Sequence, residues 1–410
     1  MASPRDAQRD AQRDAQRDAM ITGVGLISCL GEGVEAHWAA LNRDGGFSPV
    51  VDAATYAPWP VHPMTALELD RQIPKRGDQR QMEPWQRIGV YAAGLALESA
   101  GVKGNAELLS RMDMIVAAGG GERDYAVDAA ILSALPSAAD PGAFLNEHLL
   151  SDLRPTLFLA QLSNLLAGNI SIVHGVVGSS RTFMGEEASG ADAVRIACAR
   201  IAAGQGELFL IGGSYNAQRP EVLLHYEMGQ KLWKRPFAGV WQRQAAGGGM
   251  VLGTVGCFLV IESRAHAASR GASALAHVAA IATDRSRRRP GEATANAARQ
   301  FDTMRRHIDP AHAAVISGAS GVPAATAEEA EFLNGLGLPV RGAATAFGHS
   351  LEPSFLANLA LAAMALSRGR LFAPLETAAL EAPMAAELRQ VLVTSWGHWR
   401  GESLAVVEVA

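Results

Sequence analysis

Apolar residues along this chain fall into short continuous runs that alternate with stretches of helical period. The run Ile21-Thr-Gly-Val-Gly-Leu-Ile-Ser-Cys-Leu-Gly-Glu-Gly33 reads as a first strand, a glycine-rich turn and the start of a helix over about residues 33–42. Helical periodicity recurs over about residues 84–101 and 188–203, beside strand-like runs at Met112–Ala118 and Glu207–Gly213. Met250–Glu262 reads as another buried strand. A second cycle opens at His277-Val-Ala-Ala-Ile281 and continues through Ala313–Ser320, a long helix near 352–366, and strands at 390–395 and 403–409. Strands alternating with helices predict an α/β fold whose helices cover both sheet faces. Two similar α/β halves joined around residues 260–275 follow.

Two segments stand apart from this rhythm. Residues 5–19 repeat Arg-Asp-Ala-Gln with period four and offer no apolar face, so residues 1–19 are expected to be a charged, disordered extension. The halves are then 20–265 and 266–410. In Asn169–Gly175 the spacing of Ile170 and Ile172 suits a strand with one buried face.

With 410 residues, 49% of them hydrophobic and 19% charged, the chain can bury a large core. A net charge of -5 argues against a nucleic-acid surface, which needs concentrated Lys and Arg. The one basic cluster, Arg285-Ser-Arg-Arg-Arg-Pro290, reads as a solvated loop, or alternatively as a docking patch for an acidic partner. Cys29, Cys198 and Cys257 lie far apart without metal-ligand spacing and read as buried thiols in a reducing compartment. The glycines of 23–33 lack the dinucleotide-binding spacing, so no nucleotide cofactor is expected, and the scattered cysteines give no reason to expect a metal. No apolar run approaches the roughly 20 residues of a membrane span, and the charged start is unlike a secretory signal, so a cytoplasmic location is expected.

The chemistry concentrates at Ser180–Arg200. A strand, a tight turn of small residues and a helix place one side chain at a helix N-terminus, where backbone N–H groups favour negative charge. A thiol there would be a reactive thiolate. The exposed position instead falls to Glu187, with Glu186 beside it, and two such carboxylates buried together would share a raised pKa.

In this order, Ile21-Thr-Gly-Val-Gly25, Ala188-Ser-Gly190, Ile211-Gly-Gly213, Arg235-Pro-Phe237, the strand to Glu262 and Phe347-Gly-His-Ser-Leu351 resemble the β-ketoacyl-acyl carrier protein synthase family. The resemblance runs from about residue 20 onward and implies a thiolase-like fold, two similar halves packed in layers α-β-α-β-α. Members of that family use an elbow cysteine to take an acyl chain from carrier protein and two histidines for malonyl decarboxylation. Here the elbow position matches Glu187, the first histidine matches Gly318 in Gly318-Ala-Ser-Gly-Val-Pro323, and the second matches His349. The lysine five residues before that histidine matches Ala344, and the glycine-rich terminal segment has become Thr394-Ser-Trp-Gly-His-Trp-Arg400. His398 falls where the family has a gating phenylalanine and is not counted as a replacement for the missing histidine. Trp396 and Trp399 are expected to fill core space.

A carboxylate forms no ordinary thioester intermediate, and Gly318 supplies no imidazole for developing oxyanion charge. The degenerate catalytic positions are therefore Glu187 and His349, with Phe237, Gly318, Trp396 and His398 as substrate-binding candidates. The resemblance implies a noncatalytic, chain-length-factor-like partner that shapes the acyl tunnel of an active ketosynthase in fatty acid or polyketide synthesis. It leaves open a malonyl-carrier-protein decarboxylase or divergent synthase using Glu187 and His349, and a carrier-protein binding module. The implied partners are an active β-ketoacyl synthase subunit and acyl carrier protein bearing acyl or malonyl groups, with a homodimer possible in isolation. Association is expected through Asp152–Gln161 and Asn169–Gly175.

Overall fold

A computed structural model describes residues 15–122, 124–153 and 159–410. The first set of strands comprises β1 (Ala19–Ser28), β2 (Gly31–Glu32), β3 (Val61–His62), β4 (Asp113–Ala117), β5 (Ser180–Phe183), β6 (Leu208–Tyr215), β7 (Leu252–Gly253) and β8 (Val255–Ser263). The second comprises β9 (Ala276–Asp284), β10 (Ala313–Ser317), β11 (Val340–Gly342), β12 (Gln390–Trp396) and β13 (Glu402–Glu408). The continuous order is β11-β10-β12-β13-β9-β1-β8-β6-β4-β5.

Read outward from its middle, this order repeats itself. From β1, pairing runs antiparallel to β8, antiparallel to β6, parallel to β4 and parallel to β5. From β9, it runs antiparallel to β13, antiparallel to β12, parallel to β10 and parallel to β11. Each set is followed on one face by a helix leaving its outermost strand, Glu187–Ala202 after β5 and Ser354–Leu366 after β11. These two helices touch each other, and each touches strands of both sets, so they form a shared middle layer. Pro84–Ser99 packs outside β1, β6 and β8, and Glu292–Met304 outside β9 and β13. Five layers result, as the resemblance implies.

Sequence explains each layer. Every residue of Ser354–Leu366 is buried, which fits a segment apolar all round except at Ser354 and Asn358. Glu292–Met304 buries only one stripe, including Ala293, Ala297, Phe301 and Met304. Pro84–Ser99 begins with a capping box between Glu83 and Gln86 and Pro84 at its first turn. It lies so close to β1 that a Cβ on Gly25 would stand 2.0 Å from the Ala92 carbonyl oxygen.

Several expectations are corrected. Asn169–Gly175 is not a strand: Leu165–His174 is a helix that buries Leu166, Ala167 and Ile170 and ends at Gly175, whose φ is 77°. Ile170 is 0% exposed and Ile172 70%, so the two lie on different helix faces and their spacing of two was coincidental. Of the companion segment 152–161, residues 154–158 lie outside the described residues, as do residues 1–14 of the N-terminal extension. Of that extension's remainder, Arg17 donates to the Ala202 carbonyl and Asp18 pairs with Arg264. Of the three cysteines, all free, only Cys257 is fully buried.

The basic cluster is exposed at Arg285, Arg287 and Arg289, as a solvated loop would be. Arg285 reaches Asp192, Arg289 lies at the edge of ion-pair range from Glu292, and Arg288 turns inward to pair with the buried Glu402 at 2.7 Å.

Candidate functional site

The site forms where three chain segments converge on one carboxylate. The first is the turn from β5 into the Glu187–Ala202 helix. Its sharp corner is Glu186, at φ 56° and ψ -135°, a conformation costly for a residue with a Cβ. That geometry reverses the expected exposure. Glu187, the first helical residue, turns inward and is 1% exposed, while Glu186 remains about one third open to the cleft.

The second segment carries His349. Its backbone N–H donates to the Val251 carbonyl, and its own carbonyl accepts from Gly253, which seats it beside β7. Immediately beyond, Gly190 of the elbow helix passes so near that a Cβ would stand 2.5 Å from the Glu352 carbonyl oxygen. Small residues at the helix start therefore allow the two catalytic-position segments to approach.

The third segment is the loop joining β12 to β13, closed by Gly397 N–H donating to the Gly401 carbonyl. Arg288 pins it by donating to the carbonyls of Gly397 and Gly401, at 2.7 and 3.2 Å. The loop delivers His398, 6% exposed.

Glu187 Oε1 accepts from His349 Nε2 at 2.7 Å, from His398 Nδ1 at 3.0 Å and from the His398 backbone N–H at 2.9 Å. Burial acts to raise the pKa of this carboxyl, but the hydrogen bonds and charges of the two histidines outweigh it. The group is held well below the ordinary carboxylate range. The raised pKa expected of jointly buried carboxylates is not found at Glu187, because Glu186 stays part-exposed and two imidazoles bond Glu187 Oε1.

Beside the triad lies a cleft of about 580 Å³, bordered by Gly185, Glu186, Tyr215, Tyr226, Leu351 and Glu352. Burial, with the charges of Glu187 and Glu186 adding to it, pushes Glu352 up to about 8. A second hollow of about 470 Å³ shares Glu186 and Tyr226 and adds Met228, Lys231, His398 and Trp399. Trp399 is flanked by two cations, Lys231 and Arg400, at 5.9 and 5.1 Å from its ring centroid.

The other expected site residues are dispersed. Phe237 stands edge-on to His62 at 5.2 Å. Gly318 is packed so tightly under β12 that a Cβ would stand 2.6 Å from the Thr394 carbonyl oxygen, so no side chain fits there without rearrangement. Trp396 is wholly buried against Phe332, as expected of a core residue. Trp399 is not in the core: it is 53% exposed, because the tight loop carries it outward, and its indole N–H donates to Glu186 Oε2 at 2.7 Å.

Sequence reasoning named His398 only as a substrate-binding candidate and missed Tyr226. His398 is a full partner of Glu187, and Tyr226 meets the His398 ring edge-on at 5.5 Å. A histidine set between Gly397 and Trp399 in the terminal loop was a visible signal for the first. Nothing in the helix Pro220–Met228 marks Tyr226 in advance.

Chemically, the arrangement binds and orients protons around a carboxylate that has no route to a stable acyl thioester. His349 Nε2 is spent on Glu187 rather than directed at the cleft. Among the described residues no helix is long and apolar enough to cross a membrane.

Residues 16–267 match the family described as β-ketoacyl synthase, N-terminal domain. The chain is 24% identical over 269 residues to 3-oxoacyl-[acyl-carrier-protein] synthase 2 of Vibrio cholerae serotype O1, covering 63% of this chain and 61% of that protein. It thus spans about three fifths of that relative's length. The ishigamide ketosynthase/chain length factor superposes with a TM-score of 0.75 at 18% identity, covering 96% of this chain and 99% of that one. A type II polyketide synthase acyl-carrier protein in complex with its ketosynthase bound to the hexaketide gives 0.71 at 17% identity, covering 96% and 100%. At these identities the two structures speak to the fold alone.

Proposed function

This chain belongs to the β-ketoacyl synthase family, and from that membership we propose that it is a noncatalytic, chain-length-factor-like partner of an active ketosynthase. The observation that carries the proposal is the state of the elbow. Where a nucleophile would stand there is Glu187, buried and clamped by His349 and His398. A carboxylate so held cannot accept an acyl chain as a thioester. The role left to such a chain is to complete the acyl tunnel of a subunit that retains cysteine and both histidines, with acyl carrier protein as the shared substrate carrier. The malonyl-decarboxylase reading has less support, because His349 points its Nε2 at Glu187. The carrier-binding reading loses Arg288 from its basic loop to the buried Glu402.

Coexpression with candidate ketosynthases, followed by comparison of product lengths with and without this chain, tests the proposal. The expected result is a complex whose product spectrum differs from that of the active subunit alone. An identical spectrum despite complex formation counts against length-setting. The isolated chain is expected to condense nothing, and Glu187→Cys is expected not to restore condensation, since the space at Gly318 does not admit an imidazole.

A further inference from the structure

Glu186, Glu187 and His398 each place a donor atom within 4.8 Å of the others. The hydrogen bonds around them leave one acceptor of each residue unused. Glu187 Oε1 takes three hydrogen bonds, whereas Oε2 is buried and has no partner. With Nδ1 donating to Glu187, neutral His398 presents the lone pair of Nε2, and a proton carried there leaves as an ion binds. That nitrogen stands 3.7 Å from Glu186 Oε1, outside hydrogen-bond reach. Glu186 Oε2 is taken by the Trp399 indole, so Oε1 is the free oxygen.

Two such atoms, each bound to one tetrahedral ion at ~2.0–2.2 Å, stand about 3.4 Å apart. The observed gap is close to that separation. Space beside the unpartnered oxygen is kept open by Gly397, where a Cβ would lie 3.3 Å from Glu187 Oε2.

We propose that Glu186, Glu187 and His398 form a divalent-cation site, with a remaining coordination position facing the hollow bordered by Lys231 and Trp399. Two carboxylates and one imidazole suit Zn²⁺ or Mn²⁺. The outer contacts are those a metal site needs: the Trp399 N–H orients Glu186, and His349 with the His398 backbone N–H orients Glu187. A bound cation neutralises the two adjacent carboxylates. The site is independent of the chain-length role, since it asks only what the elbow binds.

The test is isothermal titration of the full chain, stripped with chelator, with Zn²⁺, and a parallel Mn²⁺ titration read by electron paramagnetic resonance. One ion per chain is expected. Glu186→Gln and His398→Gln are each expected to weaken binding at least tenfold. Trp399→Phe, which removes only an orienting N–H, is expected to weaken it by a smaller factor. Metal-free circular dichroism checks that each variant is folded. Should His398→Gln fail to fold, the partly exposed Glu186→Gln carries the test. Absence of stoichiometric uptake of either ion, or full affinity in Glu186→Gln, overturns the site.

Discussion

A residue with an apparently vacant role can still govern how the protein responds to pH. Glu329 lies near Gly318, with Oε1 accepting from Ser317 and Thr394 and Oε2 buried without a partner. Burial pushes its pKa from 4.5 up to about 7, against the opposing effect of those hydroxyls. A carboxyl raised in this way contributes its stability fully below pH 4.5, and that contribution is lost as pH rises through about 7. Glu329→Gln keeps an acceptor and removes the charge. Its melting temperature is expected to depend less on pH between 5 and 8, and at pH 8 to exceed the parent's by an increment worth about 1–3 kcal/mol. Melting curves across that range check it. At this scale the sequence was only partly legible. Glu187 and His349 could be placed from flanking motifs, because the turn and the Gly348-His349 corner carry their own small-residue signatures. The reversal of Glu186 and Glu187 could not, since it depends on one backbone dihedral. Trp399 was misplaced for a related reason: residue type favours burial, and only the loop's closure between Gly397 and Gly401 sends it outward.

Elements were more readable than residues wherever their apolar period was long. Ser354–Leu366 and β8 announce themselves as continuously buried runs, and both lie close to where the pattern places them. Leu165–His174 failed because two isoleucines are too few to separate a period of two from one of 3.6. At Arg285–Arg289 the exposed Arg285, Arg287 and Arg289 fit the solvated loop read from composition, but composition does not say that Arg288 folds back. Arg288, at φ 56°, tethers the loop after β9 to the β12–β13 loop through Glu402 and two carbonyls. Its side chain is 16% exposed and that of Glu402 is 0%. Arg288→Gln leaves the buried carboxylate without its ion pair, and a loss of about 3–5 kcal/mol is expected. Denaturant unfolding measures the loss. Hydrogen exchange is expected to accelerate at residues 397–401 more than in β13, which distinguishes release of this loop from a general loosening.

For the whole molecule, the repeated pairing pattern leaves two outer strands, β5 and β11, with different surroundings. The ends of β5 are flanked by Val177 and Met184, each 63% exposed, and the preceding helix presents Ile172 at 70%. An exposed edge strand with apolar neighbours is a ready surface for another chain. If the partner role proposed above is right, the ketosynthase subunit is expected there. Ile172→Asp is expected to weaken association at least tenfold while leaving the monomer's melting temperature within a few degrees. Sedimentation velocity of the mixed subunits reads it, and unchanged association moves the interface elsewhere. The fold's second strand set has a further consequence, in the order of its assembly. β13 follows β9 to β12 in the chain, yet it sits between β9 and β12 in the sheet. During synthesis, those two strands emerge from the ribosome with their mutual neighbour still missing. The first set, complete by Ser263, can close early. The second set, the loop that holds His398 and the clamp on Glu187 must instead form together, once residues 402–408 are free of the exit tunnel. Stalled nascent chains ending before residue 400 are expected to resist protease across the first set and to be cut readily beyond residue 276.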